Sequence, residues 1–127
     1  MTKMKPQKPA QHVKHADWKS DKDDWKGVIG GSLIDSDVTV LFYATDEVGI
    51  GPKWHVHPYD EIFVLRKGRA RFTIGDEVIE ASEGDVLMGP AAVPHKYENL
   101  GPGRLESIDI HLSRDWIQTD LVDPDAT

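Results

Sequence analysis

The sequence "PKWHVHPYDEIFVLRKG" occupies residues 52–68 and places two histidines and a glutamate inside an apolar run. Imidazole and carboxylate groups are costly to bury without partners, so their position here needs a physical cause. Side chains at positions i and i+2 of a strand share a face, which predicts that His55 and His57 point the same way. If the segment folds as a hairpin around residues 58–60, Glu61 returns beside both histidines.

A third imidazole is available farther along the chain, where His95 follows a proline. Three imidazoles and one carboxylate suit a divalent ion of Fe, Mn, Ni, Co or Zn. Taken singly, each of these residues is better explained as a surface residue or a hydrogen-bonded core residue. Together, in a chain with only 6 histidines, His55, His57, Glu61 and His95 predict a metal site.

The composition excludes several classes of protein. A length of 127 residues suits one domain, and a net charge of −7 argues against nucleic acid or an anionic membrane as partner. Because the chain has no cysteine, disulfide scaffolds, thiolate metal sites and cysteine nucleophiles are excluded. The sequence has neither a secretory signal nor the ~20 consecutive apolar residues of a membrane helix, and we expect a soluble, cytoplasmic protein.

Short segments rich in β-branched and aromatic residues follow one another from Val28 onward. One is "VTVLFYATD" at residues 38–46, and two others flank a Gly75-Asp76 linker that suits a tight hairpin. No sustained helical period separates these segments, which indicates an all-β sandwich or barrel.

The ends of the chain differ in composition from this β region. We expect a polar N-terminal extension in residues 1–27, in which Trp18 and Trp25 cover apolar surface. The β domain is expected in residues 28–121 and a C-terminal tail in residues 122–127.

The spacing of certain glycine, histidine, glutamate, proline and asparagine residues resembles the two motifs of the cupin superfamily, in particular the small single-domain cupins. The first motif is matched at Gly49, His55, His57, Glu61 and Gly68. The second is matched at Gly84, Pro90, His95 and Asn99, with Ala92 where the family usually has glycine. The resemblance implies a double-stranded β-helix barrel of the jelly-roll type, one metal ion held by His55, His57, Glu61 and His95, and a homodimer.

The segment "LESIDIHL", residues 105–112, alternates between apolar and polar side chains. We expect its isoleucines in the core and Asp109 and His111 outside, as in a half-buried strand. The opposite orientation would place Asp109 and His111 in the pocket as catalytic proton-transfer groups. Tyr97 shares the strand face of His95 and is the best further polar candidate for the pocket.

Two classes of function are compatible with these residues. The first is a metal-dependent enzyme on a small organic substrate, such as a sugar, keto acid or aromatic compound, acting as a dioxygenase, decarboxylase or isomerase. The alternative is a non-catalytic cupin module that binds a metal or small molecule. A metal-free structural role is opposed by the complete ligand set.

Overall fold

The computed structural model describes residues 8–126, which contain ten strands and two one-turn helices. The strands are β1 Gly27–Ile29, β2 Thr39–Thr45, β3 His55–Val56, β4 Glu61–Lys67, β5 Arg69–Ile74, β6 Glu77–Ser82, β7 Val86–Gly89, β8 His95–Asn99, β9 Leu105–His111 and β10 Thr119–Asp120. The helices are α1 His15–Trp18 and α2 Gly31–Ile34. Within residues 8–126, no helix is long and apolar enough to cross a membrane.

The strands form two five-stranded antiparallel sheets that enclose a common interior. Sheet A has the order β1-β2-β9-β4-β7, and sheet B has the order β10-β3-β8-β5-β6. Most neighbouring strands are far apart in sequence, as in a jelly roll, in which the chain passes repeatedly between two sheets. The all-β prediction and the jelly-roll barrel are therefore confirmed.

The apolar core occupies the half of the barrel bounded by β4 to β9. Phe63, Leu65, Phe72 and Leu105 are fully buried there, and Phe72 stacks on Tyr97 with ring centroids 4.6 Å apart. Burial of each such large side chain stabilises the fold by about 1.5–3 kcal/mol. The other half of the barrel, toward β1 and β10, is left for polar side chains and a cavity.

The turns follow the sequence predictions closely. Ile74 pairs with Glu77, so Gly75 and Asp76 form a two-residue hairpin loop, and Gly75 has a φ of 58°. Gly68 has a φ of 88°, a value that favours glycine because it lacks a Cβ atom.

The expected hairpin between the two halves of residues 52–68 is wrong. β3 pairs with β8 and β10 in sheet B, whereas β4 pairs with β7 and β9 in sheet A. The residues between His57 and Glu61 therefore carry the chain from one sheet to the other. Because the side chains point inward from both sheets, the two residues meet across the barrel interior instead of side by side on one sheet.

The expected orientation of β9 is also wrong. Ser107, Asp109 and His111 are buried in the barrel, whereas Ile108 and Ile110 lie on the outer face of sheet A. The isoleucines have apolar neighbours outside, because two cross-strand rows cover that face. These rows are Met88–Ile62–Ile110–Val40 and Val86–Val64–Ile108–Phe42.

The segment before β1 packs against sheet A, as expected for its tryptophans. Trp18 stacks on Phe42 with centroids 3.6 Å apart, and Trp25 meets the same ring edge-on at 5.3 Å. The Trp25 indole also donates a hydrogen bond of 3.0 Å to the Ser107 carbonyl oxygen. An ion pair of 2.6 Å between Asp23 and Arg104 adds a polar attachment. The prediction that Trp18 and Trp25 cover apolar surface is confirmed.

The turn before β8 contains a non-glycine residue in the left-handed region. Ala92 has a φ of 64°, at the position where the second motif usually has glycine. Its N–H donates a hydrogen bond of 2.8 Å to the His57 carbonyl oxygen, so the turn is fixed to the histidine segment. A left-handed conformation costs an L-residue about 1–2 kcal/mol.

Substitution of this alanine by glycine is expected to stabilise the protein. The Ala92→Gly variant removes the steric cost but adds backbone entropy to the unfolded chain, which leaves a net gain of about 0.5–1 kcal/mol. Urea denaturation measures the free energy of unfolding. The matched control is Ala91→Gly, since Ala91 is also exposed but does not have a positive φ, and this variant should destabilise. Equal destabilisation by both variants would contradict the prediction.

Candidate metal centre

Four buried side chains from both sheets converge at one point of the barrel interior. His55 lies on β3, His57 just after it, Glu61 opens β4 and His95 opens β8. One ligand atom from each of them lies within 4.8 Å of the others. His55 is paired directly with His95 in the ladder of sheet B, so the sheet register itself sets the distance between these rings.

The polar atoms at this point are buried without well-aligned hydrogen bonds. His57 Nε2 and His95 Nε2 lie 3.0 and 3.1 Å from Glu61 Oε1, and all three atoms lack a hydrogen-bond partner. Buried polar atoms without partners are costly, and one ion at their centre would satisfy them together. The donor set of three nitrogens and one oxygen fits a divalent transition metal.

Backbone carbonyl groups orient two of the imidazole rings. His57 Nδ1 lies 2.7 Å from the Ile117 carbonyl oxygen, and His55 Nδ1 makes the equivalent contact with the Lys53 carbonyl oxygen. A proton on Nδ1 is required for these bonds, which leaves the Nε2 lone pair free in the neutral ring. The carbonyl groups therefore prepare both rings as Nε2 ligands.

A chain of hydrogen-bonding groups orients the glutamate. The Ile117 N–H donates to the Tyr59 hydroxyl at 3.1 Å, and this hydroxyl lies 2.7 Å from His111 Nδ1. Since the hydroxyl oxygen accepts from Ile117, its own hydrogen is available to His111 Nδ1. His111 Nε2 then directs its hydrogen toward Glu61 Oε2, 3.2 Å away. Oε2 is thereby held by His111, and Oε1 is left facing the other imidazoles.

The charges of the cluster are strongly coupled. Burial alone would raise the pKa of Glu61, but the neighbouring His111, His57 and His95 rings outweigh burial and lower this pKa. Burial would lower the pKa of His57, but Glu61 and the Ile117 carbonyl outweigh it and raise this pKa. A proton and a metal ion therefore compete for His57 Nε2, and metal affinity should rise with pH.

A cavity of about 630 Å³ lies beside the cluster, and His55, Glu61 and His111 form part of its wall. Asp109, which is only 4% exposed, lines the same cavity. The Tyr97 hydroxyl donates a hydrogen bond of 2.6 Å to Asp109 Oδ2. Asp109 Oδ1 is buried and has no hydrogen-bond partner.

Asp109 is a buried acid with an unusual affinity for protons. Burial, and next the negative charge of Glu61, raise its pKa from 3.8 to about 7. The Tyr97 hydroxyl and Ser107 act in the opposite direction but do not outweigh burial. A carboxyl group of this kind holds a proton near neutral pH, as a general acid requires.

The structure brings all of the sequence-predicted site residues into one half of the barrel. The four expected ligands cluster, and Tyr97, Asp109 and His111 line the adjoining interior. The sequence interpretation missed Tyr59, which connects His111 to Ile117. Tyr59 lies in the turn between β3 and β4, where no periodicity indicates the direction of a side chain.

Sequence comparisons agree with this geometry. A family model described as "Cupin domain" matches residues 42–111, which is more than half of the chain. An uncharacterized protein of Streptomyces coelicolor is 32% identical over 68 residues, covering 54% of this chain and 64% of that protein. An uncharacterized protein of Methanocaldococcus jannaschii is 35% identical over 57 residues, covering 42% of this chain and 46% of that protein. The chain thus spans less than two thirds of the length of either relative.

Solved structures of Bacillus subtilis oxalate decarboxylase have a similar fold. A point mutant superposes with a TM-score of 0.68 at 20% identity, covering 75% of this chain and 27% of that chain. A structure described with Mn(II) centers gives a TM-score of 0.71 at 20% identity, covering 84% of this chain and 31% of that chain. At such identities the likeness shows the fold alone. The match of the family model and the two-sheet barrel around the histidine cluster show that this chain belongs to the cupin family.

Proposed function

We propose that His55, His57, Glu61 and His95 bind one divalent transition metal, and that the protein catalyses a proton-transfer reaction on a small oxygen-donor substrate. The observation that carries the proposal is that the ligand cluster and a buried acid lie in the wall of the same cavity. Its wall joins the ligand cluster to Asp109, a buried acid with an unpartnered oxygen atom.

The residues around the cavity have distinct roles in this proposal. His55, His57, Glu61 and His95 would hold a divalent metal, which would supply Lewis-acid polarisation of a substrate carbonyl or carboxylate group. Asp109 is the catalytic acid and exchanges a proton with the substrate through Oδ1. Tyr97 donates to Asp109 Oδ2 at 2.6 Å and fixes the orientation of this carboxyl group. His111 is a positioning residue, because its Nε2 lies against Glu61 Oε2 at 3.2 Å.

The buried acid favours some reaction classes over others. A decarboxylase must deliver a proton to carbon after carbon dioxide leaves, and an isomerase must move a proton between carbons. Insertion of oxygen by a dioxygenase does not require a protein acid to transfer a proton to carbon. Asp109 therefore favours decarboxylation or isomerisation over oxygen insertion. Since the Bacillus subtilis neighbour is described with Mn(II) centers, Mn is the first ion to test, followed by Fe, Ni, Co and Zn.

The proposal is tested by reconstituting the purified protein with each ion and assaying small 2-oxo acids, hydroxy acids and sugars with and without oxygen. The expected result is turnover that persists without oxygen and is lost in Asp109→Asn at unchanged metal content. Turnover that requires oxygen would contradict the proton-transfer assignment. Stoichiometric metal with no turnover on any substrate would favour the alternative of a non-catalytic binding module.

The outer face of sheet A is assigned to contact with a second copy of the chain. The two apolar cross-strand rows on this face end at Val86 and Met88, whose side chains are 64% and 51% exposed. An apolar sheet face is unfavourable in water, and a twofold arrangement buries the same face of both copies at once.

The double variant Val86→Lys/Met88→Lys is therefore expected to shift the protein from dimer to monomer. Two charges within an apolar interface have no partners there. Light scattering coupled to gel filtration measures the mass. The control is Val78→Lys, because Val78 is 63% exposed but lies on β6 of sheet B. A monomeric wild type, or a dimer that survives the double substitution, would contradict the assignment.

A further inference from the structure

The cavity beside the ligand cluster is bounded by the edge strands of both sheets. β1 is an edge strand of sheet A and β10 an edge strand of sheet B, and residues of both strands line the cavity. Exposed side chains in this wall include Val28 of β1, at 45%, and Trp116, at 49%, which lies in the segment before β10. The cavity therefore opens to solvent between the two edges.

One lysine from each sheet lies at this opening. Lys26 precedes β1, and Lys53 is two residues before His55. Both residues line the cavity.

The positions of both lysines next to the strands account for their place in the cavity wall. Lys53 lies in the irregular segment that leads into β3, two residues before His55, and lines the cavity. Lys26 is two positions from Val28, which pairs with Leu41 opposite Asp109 on the inward face. The Lys26 ammonium group lies 5.8 Å from the centre of the Tyr43 ring, which confirms the direction of this side chain.

Neither ammonium group forms a direct ion pair among residues 8–126. In the part of the chain that the structure describes, no carboxylate lies within 4.0 Å of Lys26 or Lys53. By contrast, Lys19 and Lys96 each pair with aspartates. Asp120 is the one exposed carboxylate that lines the same cavity, and Lys26 also lies near enough to Asp23 to help lower the pKa of that carboxyl group. Asp23 itself pairs with Arg104, so the two lysines outnumber the free carboxylate at the opening. A nearby anion would therefore gain from both.

From these positions we infer that Lys26 and Lys53 form a subsite for an anionic carboxylate group of the substrate, at the solvent-exposed opening of the cavity. The inference rests on the proposed function and narrows its substrate class. The substrate is a small acid with an oxygen donor at one end and a carboxylate at the other. Two residues of chain separate the backbone positions of His55 and Lys53 by at most about 7 Å, and the lysine side chain extends beyond that point, so the two ends are joined by a spacer of several atoms.

The test compares two ligands that differ only at one end. Glutarate has two carboxylates, whereas glutaramate replaces one of them by a neutral amide of the same size. Isothermal titration calorimetry on the Mn-loaded protein measures both affinities. The wild type is expected to bind glutarate about tenfold more tightly, since each exposed ion pair contributes a modest amount. The double variant Lys26→Gln/Lys53→Gln is expected to lose this preference, and high salt should reduce it in the wild type.

A control variant separates the subsite from the total charge. Lys22→Gln/Lys67→Gln also removes two positive charges, but its lysines are exposed and do not line the cavity. This variant should keep the preference for glutarate. An equal loss in both double variants, an unchanged preference in Lys26→Gln/Lys53→Gln, or no binding of either acid would overturn the inference.

The same experiment distinguishes failure of the subsite from failure of the proposed metal site. Metal content is measured first by elemental analysis. If the protein holds no Mn, the proposed function fails, and the comparison of the two ligands is repeated on the metal-free protein by tryptophan fluorescence. A preference that still depends on Lys26 and Lys53 would support the subsite alone, and its absence there would overturn both.

Discussion

The variant Glu61→Gln is expected to lose stoichiometric binding of a divalent metal, with affinity reduced by more than about 100-fold. Glu61 is the only carboxylate of the four-residue cluster, and it is 3% exposed. The amide removes the negative charge that offsets the charge of the ion, in a site where water cannot replace it. Loss of His111 or Tyr59 should be milder, because these residues orient Glu61 without belonging to the cluster.

Two measurements check this prediction. Elemental analysis after dialysis gives the metal content, and thermal unfolding gives the stabilisation by added Mn. An ion at 100 times its dissociation constant stabilises the wild type by about 2.7 kcal/mol, and this gain should vanish in Glu61→Gln. The control is Glu98→Gln, because Glu98 pairs with Arg71 on the outside of sheet B. Retention of one ion at unchanged affinity in Glu61→Gln would refute the proposed site.

The variant Asp109→Asn is expected to be more stable than the wild type at alkaline pH in the metal-free protein, by on the order of 4 kcal/mol. Burial raises the pKa of Asp109 from 3.8 to about 7. Between these values the unfolded chain releases a proton that the folded chain keeps, so the folded state becomes less stable as pH rises. The uncharged asparagine is not subject to this loss.

The sign and range of the effect follow from the two pKa values. Below pH 3.8 both states are protonated, and the two proteins should differ little. The difference in the free energy of unfolding between the two proteins should grow from pH 3.8 to pH 7 and level off above a pH of about 7. Urea denaturation across this range measures it, with Asp115→Asn as an exposed control. A difference that is independent of pH would mean that Asp109 has an ordinary pKa. Under the proposed proton-transfer function, the same titration should reduce turnover as pH rises through the pKa of Asp109.

Much of the fold could be predicted from local patterns. The strands at residues 38–46 and the Gly75-Asp76 loop were predicted because alternation and turn residues act over a few positions. Gly68 was predicted as a turn residue for the same reason, and its φ is positive. The covering role of Trp18 and Trp25 followed from their size in a polar segment.

The orientation of β9 could not be predicted from alternation. A strand with apolar side chains on one face and polar side chains on the other has two possible orientations in a barrel. The sequence of β9 favours burial of Ile108 and Ile110, yet the structure buries Asp109 and His111. The orientation depends on apolar neighbours from β4, β7 and β2 on the outer face, which no local pattern in β9 contains.

The sequence alone determined which residues could form the cluster, because ligand chemistry and spacing are properties of residue type and position. It identified His55, His57, Glu61 and His95 even though the expected hairpin does not exist. Only the tertiary structure decided that Glu61 approaches from the opposite sheet, and that Asp109 lies beside the cluster. The physical reason is that strand pairing is long-range: each strand has the same local geometry whichever neighbour it meets, and only packing of the two sheets selects the partner.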